Sequence, residues 1–314
     1  MNKRNKIKLS VLFVFCFVAG MCLAACGTDH ESTTEQERTI TIPTEESLIE
    51  KDGTVEEDVS TTEITTEEKT RESAAQTDEQ LEAILNQQME ERTFTGDCSI
   101  GVVNLISKTT AVVDNHSMQA ASLIKLYIAG AVYENLDNGT ITGSENTDAL
   151  VSKMITVSDN NAANDLVTLL GNQDVALGME RVNQYCQTHG FYDTHMGRLL
   201  LAPNDDDDNY TSVNDILSFL SQVYEGKLSG SVDILSYMKS QERTSKLPAG
   251  IPDGVVTANK TGELSDVEND AMIVLTEKKP YVICVMGQYL SAAGDARTWM
   301  TDLSGTVYEY TQQN

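Results

Sequence analysis

The sequence predicts an α+β domain in which one antiparallel sheet, covered by the terminal helices, carries an inserted all-helical lobe. Three observations lead there. Within residues 78–314, strand-like runs occur twice near the start and three times in the last third, a long helical stretch separates the two groups, and helical patterns open and close the segment. Leu81, Ile84, Leu85 and Met89 recur at helical spacing behind Thr77-Asp78, which marks a helix start. Ile100 to Ile106 and Thr109 to Val113 read as a hairpin turning at Ser107-Lys108. From about Ser122 to Ser240 helical patterns dominate, broken by turn signals at Asn138-Gly139, Gly171-Asn172 and Pro203-Asn204. Val255 to Lys260, Ala271 to Glu277 and Tyr281 to Gln288 are rich in β-branched residues, and a final helical pattern runs from Ala293 to Tyr310. The cleft between sheet and lobe is the expected site.

Residues 1–25 read as a bacterial export signal: Lys3, Arg4, Lys6 and Lys8 precede an apolar run from Leu9 to Leu23. That run of about 15 residues is shorter than the roughly 20 a spanning helix needs. Leu23-Ala24-Ala25-Cys26-Gly27 looks like a lipobox, so Cys26 is expected to carry the lipid that holds the mature protein on the extracytoplasmic face of the cell membrane. Residues 26–77 are expected to be an acidic, disordered stalk. From Thr28 to Thr77 there are 15 acids, 4 bases and no Tyr, Phe or Trp, too little apolar surface to offset the cost of ordering the backbone.

The whole chain carries a net charge of −26, of which −19 falls on residues 78–314, and no basic patch offsets it. That balance argues against a nucleic-acid partner. Cys98, Cys186 and Cys284 are odd in number and contain no CxxC pair, and His30, His116, His189 and His195 show no metal spacing. Neither a metal nor a cofactor is expected, and the globular part is expected to be a monomer. The three thiols are expected to be buried and inert, the alternative being a Cys98–Cys284 bridge across neighbouring strands.

Ala121-Ser122-Leu123-Ile124-Lys125 opens the helical stretch, and its Ser122 and Lys125, three apart, share one helix face. A serine hydroxyl becomes a nucleophile when a base takes its proton, and a desolvated lysine can be that base. Ser158-Asp159-Asn160 follows inside the helical lobe, where it also reads as a helix cap before Ala162. Lys260-Thr261-Gly262 closes the strand that begins at Val255, with Gly262 open to close approach by a ligand backbone.

In the order SxxK, SDN and KTG, reinforced by Leu247-Pro248-Ala249-Gly250, these motifs resemble the class A β-lactamases and penicillin-binding proteins over residues 78–314. The resemblance implies a five-stranded sheet with a helical lobe, and a β-lactam or a peptidoglycan stem peptide as substrate. It casts Ser122 as the acylated nucleophile, with its backbone N–H as half of the oxyanion hole. Lys125 is the base or proton relay, and Ser158 the donor to the leaving nitrogen. Asn160 binds the substrate amide, while Lys260, Thr261 and Gly262 form the carboxylate pocket. Two departures stand out. Where class A enzymes place the glutamate that directs the deacylating water, Arg198-Leu199-Leu200 puts Leu200. Glu263 follows KTG directly and sets an acid beside the carboxylate pocket. The expected activity is therefore acylation by β-lactams with slow hydrolysis. The alternatives are a cell-wall D-Ala-D-Ala carboxypeptidase or transpeptidase and a non-catalytic surface module. One of Asp205, Asp206, Asp207 and Asp208 could replace the missing acid, or pair with Arg198 to pin the loop.

Overall fold

The computed structural model describes residues 76–314. The signal segment 1–25, the lipidation site Cys26 and residues 26–75 of the stalk lie outside the described residues. Asp78 accepts a hydrogen bond from the backbone N–H of Leu81 at 3.0 Å and so caps α1, Glu79–Glu91. The hairpin β1, Asp97–Asn104, and β2, Thr110–Val113, follows. After the short β3, Met118–Gln119, the chain enters the lobe: α2, Ile124–Asp137; α3, Thr147–Thr156; α4, Asn160–Leu170; α5, Val175–Thr188; α6, Val213–Tyr224; and α7, Ser231–Lys239. Three long strands close the sheet: β6, Val256–Glu263; β7, Glu268–Leu275; and β8, Tyr281–Gln288, before α8, Ala293–Gln313.

The sheet order is β2-β1-β8-β7-β6, antiparallel throughout. Its faces are read most simply along β8, which is buried end to end. Val282, Cys284 and Met286 join the core shared with the lobe, whereas Tyr281, Ile283 and Val285 pack with Leu81, Leu85, Met300, Leu303 and Val307 of α1 and α8. A period of two thus serves two cores at once. A continuous apolar run is the natural sequence for a strand covered on both sides.

The same period excludes the Cys98–Cys284 bridge. In the β1–β8 register Cys98 lies opposite Gly287 and Cys284 opposite Gly101, so the two thiols point to opposite faces of the sheet. Cys98, Cys186 and Cys284, the three cysteines among the described residues, are free and buried, and burial raises each thiol.

Three differences from the sequence reading have physical causes. A small sheet in the order β3-β5-β4 lies inside the helical stretch, built from Met118–Gln119, β5 at Asn209–Thr211 and β4 at His195–Met196. Strands of two or three residues show no periodicity. β7 starts at Glu268 rather than Ala271 because Glu268, Asn269 and Asp270 are fully buried polar residues, paired with partners distant in sequence. β6 runs on to Glu263, so the KTG triplet lies within the strand rather than closing it.

On β1, Gly101 faces α6, and a Cβ there would lie 2.8 Å from a Leu217 methyl and 3.3 Å from Val213. Gly101→Val is expected to lower the unfolding free energy by about 1–3 kcal/mol through overpacking. The check is a lower urea midpoint at unchanged slope.

Candidate active site

Ser122 sits in a single 3₁₀ turn, Ala121–Leu123, that runs directly into α2. The turn presents its hydroxyl, half-buried, beside the edge strand β6. A Cβ on Gly262 would lie 2.8 Å from the Ala120 carbonyl oxygen and 3.2 Å from the Ser122 nitrogen. The missing side chain therefore admits the protein's own backbone at the Ser122 turn. The SDN segment arrives from the α3–α4 turn. Asp159 caps α4 by accepting from the N–H of Ala162 at 2.8 Å. Ser158 before it holds a left-handed φ of 59°, and Ala121 one of 46°. Such strain in non-glycine residues persists where the surroundings over-determine it.

Lys125 is fully buried, and its Nζ lies within hydrogen-bond distance of four oxygens: the Ser158 carbonyl at 2.6 Å, Asn160 Oδ1 at 2.7 Å, and the hydroxyls of Ser122 and Ser158 at 3.1 Å each. Burial pushes its pKa down to about 7, the Arg243 charge adding to the fall and Asp159 opposing it. A neutral amine has two N–H donors and one lone pair. The carbonyl and the amide oxygen can only accept, so they take the two donors. The lone pair is then left for a hydroxyl, and Ser122 Oγ is within reach.

Lys260, also fully buried, donates to the Thr261 carbonyl at 2.6 Å and to Ser158 Oγ at 2.9 Å. Burial, and after it the neighbouring Lys125, holds its pKa well below that of an ordinary lysine. Ser158 Oγ is thus hydrogen-bonded to two amines, and a hydroxyl so placed can accept a proton from one and pass one on.

The 197–208 loop forms the other wall. Arg198 Nε donates to Asp208 at 2.7 Å with both side chains mostly buried, and the guanidinium also reaches the carbonyls of Leu199 at 3.2 Å and Ala202 at 3.1 Å. Burial resists ionisation of Asp208, but hydrogen bonds from the Asn209 N–H, Asn204 and Arg198 hold its carboxyl below the usual range. Asp207 pairs with His195 at 2.7 Å. Asp208 thus pins the loop, and none of the four aspartates lines the cavity beside Ser122. Asn164 grips Leu200 from α4, accepting from its N–H at 2.9 Å and donating to its carbonyl at 3.0 Å. A cavity of about 230 Å³ remains, walled by Ser122, Asn160, Leu200, Leu201, Glu263 and Leu264 among others.

Ser122, Lys125, Ser158, Asn160 and Lys260 are joined by hydrogen bonds beside this cavity, Thr261 enters through its carbonyl, which accepts from Lys260, and Gly262 packs against the Ser122 turn. Sequence reasoning did not single out three others. Asn164 shares a helix face with Asn160, four residues on, and that spacing was an available signal. Lys246, buried, bridges Glu263 at 3.1 Å and Glu268 at 2.6 Å. Arg243 pairs with Glu263 at 3.2 Å. Nothing local in the sequence marks either cation.

The sequence pattern described as "Beta-lactamase enzyme family" matches residues 76–149 and 145–311. The chain belongs to the β-lactamase enzyme family. Among solved structures, that of PBP-A is 24% identical over 76% of this chain and 98% of its own, with a TM-score of 0.67. A leucine-to-glutamate mutant of PBP-A, in acyl-enzyme complex with penicillin G, matches at the same identity and score, over 76% of this chain and 99% of its own. A β-lactamase from Sphaerobacter thermophilus is 19% identical over 74% of this chain and 97% of its own, at a TM-score of 0.64. At these identities the likeness is one of fold. No curated protein matches by sequence. Family membership accounts for the segregated strands and the inserted lobe, and agrees with the antiparallel five-stranded sheet.

In this β-lactamase-family chain, Asp208→Asn leaves a mostly buried guanidinium without its charge partner. The expected loss is about 3 kcal/mol of unfolding free energy, read by denaturant titration, with faster proteolysis between residues 198 and 208.

Proposed function

We propose that this protein is a class A β-lactamase-like serine hydrolase, acylated at Ser122 by β-lactams, that hydrolyses the resulting ester slowly. The observation that carries the reading is the desolvated Lys125 amine 3.1 Å from Ser122 Oγ, with the Ser158 carbonyl and Asn160 Oδ1, which can only accept, taking its two N–H donors. In the proposed reaction Lys125 takes the Ser122 proton as Oγ bonds to the lactam carbonyl carbon. The Ser122 N–H supports the developing oxyanion. Ser158, recharged by Lys125 or Lys260, gives a proton to the ring nitrogen as its bond to carbon breaks, leaving an ester on Ser122. Asn160 receives the substrate amide, and Lys260 with Thr261 its carboxylate. Among the described residues, no protein acceptor bonds the Asn160 Nδ2.

Deacylation requires a directed water. Leu200 lines the cavity with an isobutyl group that neither orients nor deprotonates water, and the Asn164 clamp fixes it there. This favours a second reading on the same residues, a cell-wall D-Ala-D-Ala carboxypeptidase or transpeptidase whose ester normally passes to another acceptor. Cleavage of a depsipeptide mimic without lactam turnover would distinguish it. Lipidation at Cys26, a stalk over residues 26–77, a monomeric catalytic domain and a place on the extracytoplasmic membrane face complete the proposal.

Intact mass of the protein after incubation with a penicillin is expected to rise by one drug molecule and to stay raised, whereas Ser122→Ala gains nothing. Leu200→Glu should release the adduct about 100-fold faster or more, the lower end of what a positioned general base contributes. A wild type that forms no adduct sinks the catalytic reading. The acylation rate should also climb as pH rises through about 7 and then level, because the neutral form of Lys125 is the base. Rapid-quench mass measurements from about pH 5.5 to about 8.5 would show the inflection, and a rate that falls over this range would exclude an amine base.

A further inference from the structure

Glu263 stands at the mouth of the Ser122 cavity and is held from two sides. Its Oε1 meets the buried ammonium of Lys246 at 3.1 Å and its Oε2 meets the guanidinium of Arg243 at 3.2 Å. Burial opposes its ionisation, but Lys246 and Arg243 outweigh that and hold its carboxyl below the usual range. Lys246 has a second anionic partner in Glu268 at 2.6 Å, which in turn is paired with Arg297 at 2.6 Å. Arg243 is different. It is half exposed, Glu263 is its one ion-pair partner among the described residues, and its charge is felt by both Lys125 and Lys260. Arg198, which lines the cavity, is already paired with Asp208. With the two lysines desolvated, Arg243 is the remaining guanidinium beside the cavity, and Glu263 already occupies it.

We infer that Glu263 is a specificity-determining residue of this site, masking Arg243 so that acyl donors bearing a carboxylate are disfavoured relative to donors that are uncharged there. The inference rests on the Ser122 acylation reading. An incoming carboxylate must displace Glu263 from the guanidinium or lie beside it as a like charge, and either event costs free energy that a neutral ester avoids. A neutral donor meets neither cost.

The test compares benzylpenicillin with its methyl ester by the second-order rate of Ser122 adduct formation, in the full chain and in two variants. Glu263→Gln keeps an acceptor for Lys246 and frees Arg243. It is expected to raise the benzylpenicillin rate about tenfold or more, the scale of one charge-assisted hydrogen bond, and to leave the methyl ester rate within about twofold. Arg243→Gln is expected to change the ratio of the benzylpenicillin rate to the methyl ester rate less than about threefold, because the masked guanidinium contributes little to carboxylate binding in the wild type and its effect on Lys125 falls on both donors alike. It is an independent arm should Glu263→Gln fail to fold. An unchanged ratio of the two donors in Glu263→Gln overturns the inference. So does a tenfold loss confined to benzylpenicillin in Arg243→Gln, since an unmasked guanidinium would behave in that way. If neither donor forms an adduct in any protein, the acylation reading fails and this inference with it. An adduct whose ratio does not move defeats the inference alone.

Discussion

Two lysine side chains brought out of water around one serine hydroxyl constrain everything else in this molecule. Lys125 and Lys260 come from different layers, the first from the lobe helix α2 and the second from the edge strand β6, and both reach Ser158 Oγ. Neither is paired with a carboxylate in the cleft. An ordinary lysine stays charged and wet, and burying it costs enough that the group tends to give up its proton. The sign of the linkage is adverse to stability. With a folded-state pKa lowered to about 7, the unfolded chain binds more protons between that pH and the lysine's ordinary value, so the destabilisation is complete below about 7 and is relieved as pH rises through that window. In the proposed reaction the return for that cost is an amine base poised near neutral pH.

The cost is met by rigidity behind the site. β6 is held against β7 over its whole length from Val256 to Glu263, and the polar start of β7 anchors the segment before it. Asp270 accepts from the N–H of Leu247 and from Asn259, both at 3.1 Å, while burial drives its carboxyl up to about 7 against the pull of Lys246. Asn269 donates to the carbonyls of Gln119 at 2.8 Å and Ala120 at 3.1 Å, fixing the chain that leads into the Ser122 turn. Buried polar groups with their partners in place specify one arrangement, and here the arrangement is the distance from Ser122 to Lys125.

Much of this was legible in the sequence, for a reason that also marks the limit. The order of strands and helices follows from periodicity, and the seven motif residues carry chemistry that has few other uses in that combination. Tyr281 to Gln288 matches its strand to the residue because the run is apolar up to Gln288 and each face has a core to fill. Glu268 to Asp270 failed as a strand because three polar side chains ordinarily mean a loop, and only distant partners such as Lys246, Arg297 and Asn259 make them interior residues. Gly262 was correctly marked as a place of close approach, but the approaching backbone is the chain's own. The Cys98–Cys284 alternative needed the register, since two cysteines on adjacent strands meet only when they share a face. Arg198 with Asp208 was foreseeable from the acidic run, whereas the Asn164 clamp on Leu200 required knowing which loop lies over α4.

The departures from the family pattern are mutually consistent when viewed as charge. A glutamate in the loop would add a second anion to a cavity whose mouth already holds Glu263, in a domain of net charge −19. With Lys125 and Lys260 desolvated, little permanent positive charge would remain to balance the two. Leu200 avoids that conflict and fills its place by burial, with its backbone satisfied by Asn164. In the proposed reaction this arrangement would favour forming an ester on Ser122 over attracting anions or directing water at that ester. Long-range repulsion from the domain is screened beyond about 8 Å at physiological salt. On the proposed reading, a choice between anionic and neutral donors would consequently be made at the cleft itself, where Arg243 and Glu263 meet.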